Sequence, residues 1–272
     1  GLALYHNAKT LLKNGSGPYF YLPKIEHYLE CRLLSDVISF SEKKLLLKQG
    51  SIKVTVLIET INAVFQMDEF LWELRNNIVG LNAGRWDYLF SYQKVYRNTK
   101  KVILPDRSKV NMFVPFMSNY NKLLVDTCHK RGAFGMGGMS AQVIAKANPK
   151  EINEKALVAV KKDKEREVNQ GNDGAWVAHP SLVAPVKNIF EKNLKGPNQL
   201  GKFNNKKISR RDLLDEPKID NAITEMGVRE NLNEGIEYMA FWQIGMGCCV
   251  VNYLMADAAT CEVSRAQLWV WL

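Results

Sequence analysis

Long apolar runs are missing from this sequence. The stretches around Val54 to Ile58 and from Cys248 to Met255 are too short or too interrupted to cross a bilayer, which takes about 20 apolar residues, so no membrane span is expected. The chain opens on Gly1 and continues LALYHNAKTLLKNG, without the basic, apolar, small-residue order of a signal peptide; it reads as a processed or excised piece. Cysteine is sparse. Five thiols, Cys31, Cys128, Cys248, Cys249 and Cys261, form no CxxC pair and no Cys/His zinc spacing, which argues against a zinc site and for reduced thiols in an intracellular compartment. Of four histidines, His129 and His179 stand at plausible functional positions, but no Ser/Asp or Cys pattern completes a triad, and both read as structural. GAFGMGGMS has neither GxGxxG spacing nor a Walker lysine, so it reads as a tight strand and its turn. Internal repeats and low-complexity tracts are absent as well.

What is present suits a globular protein. Hydrophobic residues make up 46% of 272, ample for a packed core. The net charge of +9 favours anionic partners: nucleic acid, a lipid headgroup or a phosphorylated small molecule. Lysines and arginines in 94–109, 146–166 and 187–211 are separated by acids or asparagines rather than by aromatics. They lack the interleaving of a stacking platform, so solvated surface is expected, with no nucleic-acid or membrane partner.

VTVLIE from Val54 is rich in β-branched residues, and Val64, Met67, Leu71 and Leu74 after it fall at helical spacing before a second strand at Ile78 to Leu81. A strand, a helix of about 14 residues and another strand make a βα unit with parallel strands. Strand-like runs recur at PYFYLP (18–23), GAFGMGG (132–138) and AWVAHP (175–180). Between the last two, KEINEKALVAVKKDKEREVNQ predicts a surface helix ending at Gly171 as C-cap. This alternation indicates an α/β fold, a (β/α) barrel before an open sheet. The polar stretch KNLKGPNQLGKFNNKKISRRDLLDEPK reads as a surface excursion, and from about Ile223 the texture becomes helical with aromatic faces.

In this reading Glu59 ends one strand and Asp87 lies just past the next, so the two acids are neighbours on the carboxyl-end rim where parallel α/β proteins bind ligands. Converging carboxylates repel unless a cation or a shared proton lies between them. Mg²⁺ answers this, since it takes one or two protein carboxylates and leaves other positions to water and substrate. The alternative is a pair of strand-end ion pairs, Glu59 with a lysine and Asp87 with Arg85. Gly84 lets backbone approach a ligand or serves a plain turn, Trp86 reads equally as core, and Asp257 in LMADAATCEVSR reads as a helix N-cap.

The blocks GSGPYFYLPKIE (15–26), IKVTVLIETINAVFQMDEFLWELRNNIVGLNAGRWDY (52–88), LPDRSKVNMFVPF (104–116), CHKRGAFGMGGMSA (128–141), DKEREVNQGNDGAWVAHPSL (163–182) and LMADAATCEVSRAQLWVWL (254–272) closely resemble malate synthases of the shorter form, nearly end to end. The resemblance implies a (β/α)8 TIM barrel, here incomplete at its N-terminal end over 1–222, followed by the start of a helical C-terminal part over 223–272. It implies a glyoxylate-cycle acyltransferase that condenses glyoxylate with acetyl-CoA and hydrolyses malyl-CoA to malate and CoA. Glu59 and Asp87 match the Mg²⁺ ligands, Gly84, Arg85 and Trp86 the segment whose backbone holds glyoxylate, and Asp257 the base; Pro180 matches a contact for acetyl-CoA. CoA phosphates give one use for the positive charge. Such enzymes work in the glyoxysome or peroxisome, or in the cytoplasm.

Departures from the pattern define an alternative, a noncatalytic relative or inactive fragment. The family's oxyanion-stabilising arginine, in an RPRGW-type segment, belongs upstream of Gly1, so weak or no activity of this chain alone is expected, along with open strand edges. The family's Met-Glu-Asp is Met255-Ala256-Asp257 here, which would lower the pKa of the base or loosen its orientation. A proline after the Glu-Thr pair is replaced in Glu59-Thr60-Ile61-Asn62, a change expected to be tolerated.

Overall fold

A computed structural model of the chain describes residues 1–99, 103–204, 206–214 and 222–272. Helix α1 (Leu2–Lys13) precedes β1 (Tyr19–Leu22), α2 (Tyr28–Lys44), β2 (Lys53–Ile58), α3 (Met67–Glu73) and β3 (Ile78–Ala83). Two helices follow, α4 (Trp86–Tyr96) and α5 (Pro115–Lys130), then β4 (Phe134–Ser140), α6 (Lys150–Gln170), β5 (Gly174–Val177) and α7 (Val183–Asn193). The remainder is α8 (Arg210–Leu214), α9 (Glu225–Gln243), the short strands β6 (Cys249–Val251) and β7 (Leu254–Ala256), and α10 (Ala258–Trp271).

Strands β1 to β5 form one sheet in chain order, every pair parallel. Side chains alternate across it. Val54, Val56, Ile58, Leu81 and Ala83 point to one face and are buried against Phe70 and Leu71 of α3 and Phe116, Tyr120 and Leu124 of α5. The opposite face carries, in register, Tyr21 beside Thr55, Leu57 beside Asn82, and Asn82 beside Met136. Tyr21 of β1 and Trp176 of β5 stand on the two edge strands, yet their ring centroids are 4.0 Å apart. The sheet is therefore curled into a trough with the helices on its convex side. Among the described residues this trough has five parallel strands of the eight expected of a closed barrel.

Two features differ from the sequence reading. The single helix expected after β2 is a 3-10 turn, Ala63–Phe65, and then the seven-residue α3; Gln66 breaks it, its side chain donating to Glu26 O and Asn62 O instead of facing solvent. The C-terminal part is not purely helical. Cys249–Val251 and Leu254–Ala256 pair antiparallel around Asn252 and Tyr253, whose φ values of 48° and 63° make the two-residue hairpin turn that matches strand twist. The polar stretch from 192 carries the short α8, and its residues 205 and 215–218 lie outside the described ones.

GAFGMGG forms, as expected, a strand and its turn, with Gly132 in the turn and Gly135, Gly137 and Gly138 in β4, and Gly137 leaves room for a buried ion pair. Lys164 and Glu167 of α6 are fully buried beneath β4, the Lys164 Nζ donating to Glu167 Oε2 at 2.9 Å and to Gly138 O at 2.6 Å. A Cβ on Gly137 would lie 2.1 Å from Glu167 Oε2. Helix α6 ends at Gly171, φ 100°, in the left-handed conformation that glycine adopts without cost.

Candidate active site

The carboxyl ends of the strands enclose a cavity of about 530 Å³ lined by Lys24, Glu59, Gly84, Asp87, Trp176 and Asp257, among others. Lys24 follows β1, Glu59 follows β2, and Gly84 follows β3, so the three occupy equivalent rim positions on adjacent strands. Asp87 is the second residue of α4 rather than a strand-end residue. Asp257 is the N-cap of α10, as its sequence context predicts, and is brought over the rim by the packing of α10 on α4.

The two acids converge, and their immediate partner is one that the sequence reading did not single out. Glu59 is 4% exposed, and its Oε1 accepts the main-chain N–H of Lys24 at 2.6 Å. The Lys24 Nζ donates to Asp87 Oδ1 at 2.7 Å. A φ of 56° at Lys24, costly for a residue with a side chain, lets one residue address Glu59 with its amide and Asp87 with its ammonium. The expected Asp87–Arg85 pair does not form. Arg85 turns away and donates from Nη2 to Val110 O at 2.9 Å. Its position in the chain beside Lys24's partner was legible, but the rim equivalence of Lys24 needed the end of β1.

Electrostatics follow from this crowding. Burial, and then the neighbouring Asp87 carboxylate, push Glu59 up to about 7 against the pull of Lys24. Burial works against the Lys24 charge, but its hydrogen bond to Asp87 and the charges of Asp87, Glu59 and Asp257 outweigh that and raise it. Desolvation pushes Arg85 down to about 10 in spite of Asp163. The site thus holds more negative charge than one lysine comfortably balances.

Gly84 is fixed by closeness rather than by φ. Its N–H donates to Ile58 O at 3.1 Å, and the Tyr120 hydroxyl donates to Ile58 O and lies 3.2 Å from Gly84 O. A Cβ here would stand 2.6 Å from Glu59 Cβ. Two guanidinium groups approach the Trp86 ring, Arg85 at 4.3 Å and Arg107 at 4.7 Å from its centroid, and Trp86 packs against the main core. Pro180 is exposed, in the turn after β5, and is not part of the cavity lining. His129 bonds Asp173 Oδ2 at 3.0 Å and Lys202 O at 2.7 Å, and His179 caps a 3-10 turn; both stand away from the cavity lining. Trp176, Asn82 and Phe113 also line the cavity; the inward alternation of each strand would have exposed the first two.

The donor set fits a hard divalent cation. Among the described residues no group of three His, Cys, Asp or Glu is gathered, so a closed zinc-type shell is not formed. Two converging carboxylates, Glu59 raised by burial and then by Asp87, are the kind of donor set that Mg²⁺ takes from protein when water and substrate complete its octahedron.

The sequence matches the description "Malate synthase, TIM barrel domain" over residues 1–216 and "Malate synthase, C-terminal" over 222–272. The chain belongs to the malate synthase family. It is 52% identical to the glyoxysomal malate synthase of Candida tropicalis over 98% of its own length and 49% of the relative's. To malate synthase A of Escherichia coli it is 45% identical over 100% of its length and 51% of the relative's. The chain therefore spans about half the length of the curated relatives it matches. Its fold is similar to a Haloferax volcanii malate synthase solved as a pyruvate/acetyl-CoA ternary complex, with a TM-score of 0.66 and 15% identity, covering 96% of this chain and 65% of that one. The same archaeal enzyme has been solved with lead(II), TM-score 0.57, identity 14%, over 96% and 64% of the two chains. The curled five-stranded sheet is thus a portion of a malate synthase TIM barrel.

Proposed function

We propose that this chain carries the reacting core of a malate synthase: the condensation of glyoxylate with acetyl-CoA, then hydrolysis of malyl-CoA to malate and CoA. The observation that carries the reading is the meeting of Glu59, Asp87 and Asp257 around one cavity although they come from three separated segments. Residues 1–222 form the barrel part in this reading, and 223–272 the helical part that delivers the base.

Glu59 and Asp87 would hold Mg²⁺, which when bound supplies Lewis-acid polarisation of the glyoxylate carbonyl. The backbone from Gly84 to Trp86 orients the same substrate, since Gly84 leaves room for it and the start of α4 presents N–H groups toward an anion. Asp257 takes a proton from the acetyl methyl group, and the resulting enolate carbon attacks the aldehyde carbon held beside it. Asp257 is suited to this because its cap uses Oδ1, which accepts from Ala259 N at 3.0 Å and Thr260 N at 3.3 Å, and the residue lines the cavity. The carboxylate is exposed rather than desolvated in this structure, so acetyl-CoA itself would dry it on binding. Pro180, just past β5 on the same rim, stands on the approach for that thioester, and glyoxysome, peroxisome or cytoplasm would house the reaction.

The test is glyoxylate-dependent CoA release from acetyl-CoA with Mg²⁺, in the full-length protein that carries this chain, beside Asp257→Asn. Asparagine caps a helix as well as aspartate does, so the variant keeps the fold while losing the base. Release that disappears in the variant supports the enzyme. No release from a folded wild-type protein that binds Mg²⁺ refutes it and leaves the noncatalytic relative.

A further inference from the structure

Four consecutive residues, Leu104, Pro105, Asp106 and Arg107, each grip the helical pair α9 and α10. Leu104 O accepts from Trp271 Nε1 at 2.9 Å, and Pro105 O from Gln267 Nε2 at 2.9 Å. Asp106 is 5% exposed; its Oδ1 accepts from Thr224 N at 3.0 Å and its Oδ2 from Thr224 Oγ1 at 2.7 Å. Thr224 is the N-cap of α9, and a Cβ on Gly227 would lie 2.0 Å from Asp106 Oδ1, so helix and carboxylate are in direct contact. Arg107 donates from Nη1 to Ser264 Oγ at 2.6 Å and lies 3.8 Å from Glu234 Oε2.

Arg107 alone among these four also reaches the cavity side. Its guanidinium lies over the Trp86 ring, 4.7 Å from the centroid, a ring that Arg85 also approaches at 4.3 Å. Trp86 is the residue before Asp87, while Ser264 lies about two turns along α10 from Asp257. One rigid planar fork therefore joins the element carrying an acid of the candidate metal pair to the helix carrying the candidate base. A lysine could carry the charge but neither stack flat nor hold that geometry.

We propose that Arg107 is a positioning residue that sets Asp257 against Asp87, with Leu104, Pro105 and Asp106 docking the helices around it. The inference rests on the malate synthase reading for its catalytic consequence, though the coupling itself does not. The packing of α10 on α4 brings the two elements together, and Arg107 fixes their alignment through Trp86 and Ser264; a misplacement of about 1 Å between reacting groups costs on the order of 100-fold in rate.

The experiment compares Arg107→Lys, Arg107→Ala and Ser264→Ala in the full-length protein. The expected result for Arg107→Lys is a drop in kcat of about 100-fold, with KM for glyoxylate and affinity for Mg²⁺ within about threefold of wild type, and a smaller kcat loss in Ser264→Ala. A general structural role would instead lower stability and raise KM together. Wild-type kcat in a folded Arg107→Lys overturns the proposal, as does a loss confined to KM. If wild type releases no CoA, the functional reading fails, and the coupling is read separately from denaturant unfolding of Trp86→Leu, Arg107→Ala and the double variant. Losses smaller together than their sum support the link through Trp86, and strictly additive losses overturn it.

Discussion

Gly84→Ala is a one-methyl change with a consequence that follows from local geometry. The added Cβ would be 2.6 Å from Glu59 Cβ, 3.3 Å from Glu59 Oε2 and 3.4 Å from Glu59 Cα. Carbon atoms rest at about 3.5–4.0 Å, so the first contact is short by about 1 Å. Relief is difficult because the nearest atom is the root of the Glu59 side chain rather than a flexible end. The backbone cannot give way cheaply either: Gly84 N is bonded to Ile58 O at 3.1 Å, and Tyr120, fully buried, holds Ile58 O and Gly84 O together. Overpacking of this kind costs about 1–3 kcal/mol, which for a chain of this size lowers Tm by roughly 2–10 °C. The strain falls on Glu59, so Mg²⁺ affinity should fall with stability, and kcat by up to about 100-fold if the carboxylate moves 1 Å. Thermal unfolding, Mg²⁺ titration by calorimetry and CoA release measure the three effects. An alanine variant with wild-type Tm and wild-type Mg²⁺ affinity would refute the contact and with it the placement of Gly84 against Glu59.

Lys164→Met should destabilise the protein by about 3–5 kcal/mol, because it removes the closest partner of the buried Glu167 and leaves it the longer Arg166 Nη2 contact at 3.3 Å; Lys164→Met/Glu167→Leu should recover most of that in denaturant unfolding. Burial pushes Glu167 up to about 7, so a proton can neutralise the acid left without its lysine, and the single-variant loss should be larger at pH 8 than at pH 5.5. His129 gives a pH dependence of the same sense. Burial disfavours its charge, but the hydrogen bonds to Asp173 and Lys202 and the Asp173 charge prevail and raise it. A base raised on folding contributes stability that is complete below the unfolded value of about 6.5 and is lost as pH rises through the folded value. Unfolding free energies compared at pH 6 and pH 9 should show that decline, and Asp173→Asn should flatten it; an unchanged slope in the variant refutes the pairing.

How much was legible depends on how local the cause is. β-Branched VTVLI and the apolar run at Ile78 are strands for reasons contained in those residues, and one βα repeat between Glu59 and Asp87 suffices to make them rim neighbours. Gly171 at the end of α6 and Asp257 at the start of α10 are likewise local caps. The hairpin around Asn252 and Tyr253 was hidden because a run of Cys and Val beside a helical stretch has no alternation to betray it; only the asparagine at positive φ signals it. Lys24 escaped notice because its role exists only when β1 is laid beside β2. The grip of residues 104–107 on α9 and α10 joins positions more than a hundred residues apart, and no periodicity encodes such a contact. The glycines of β4 were read correctly as strand, but the cause of Gly137, the carboxylate of Glu167 pressed against it, lies on a helix.

The replacement of the family's glutamate by Ala256 bears on the base less than its position suggests. Two effects of the change were expected, and the structure speaks to orientation. Asp257 is aimed from its C-terminal side: Oδ1 accepts from Ala259 N and Thr260 N, and Thr260 Oγ1 accepts from Asp257 N at 3.2 Å. None of these contacts involves residue 256. Ala256 ends β7, opposite Cys249, and is buried at 1% exposure with Tyr238, Cys249 and Val251, a pocket of apolar surface and thiol. A carboxylate there would need a partner that these neighbours do not offer apart from the Tyr238 hydroxyl, which already donates to Gly247 O at 3.0 Å. The alanine therefore suits the surroundings it has, and the aim of Asp257 survives the substitution because the helix N-terminus, not the preceding strand, holds the carboxylate.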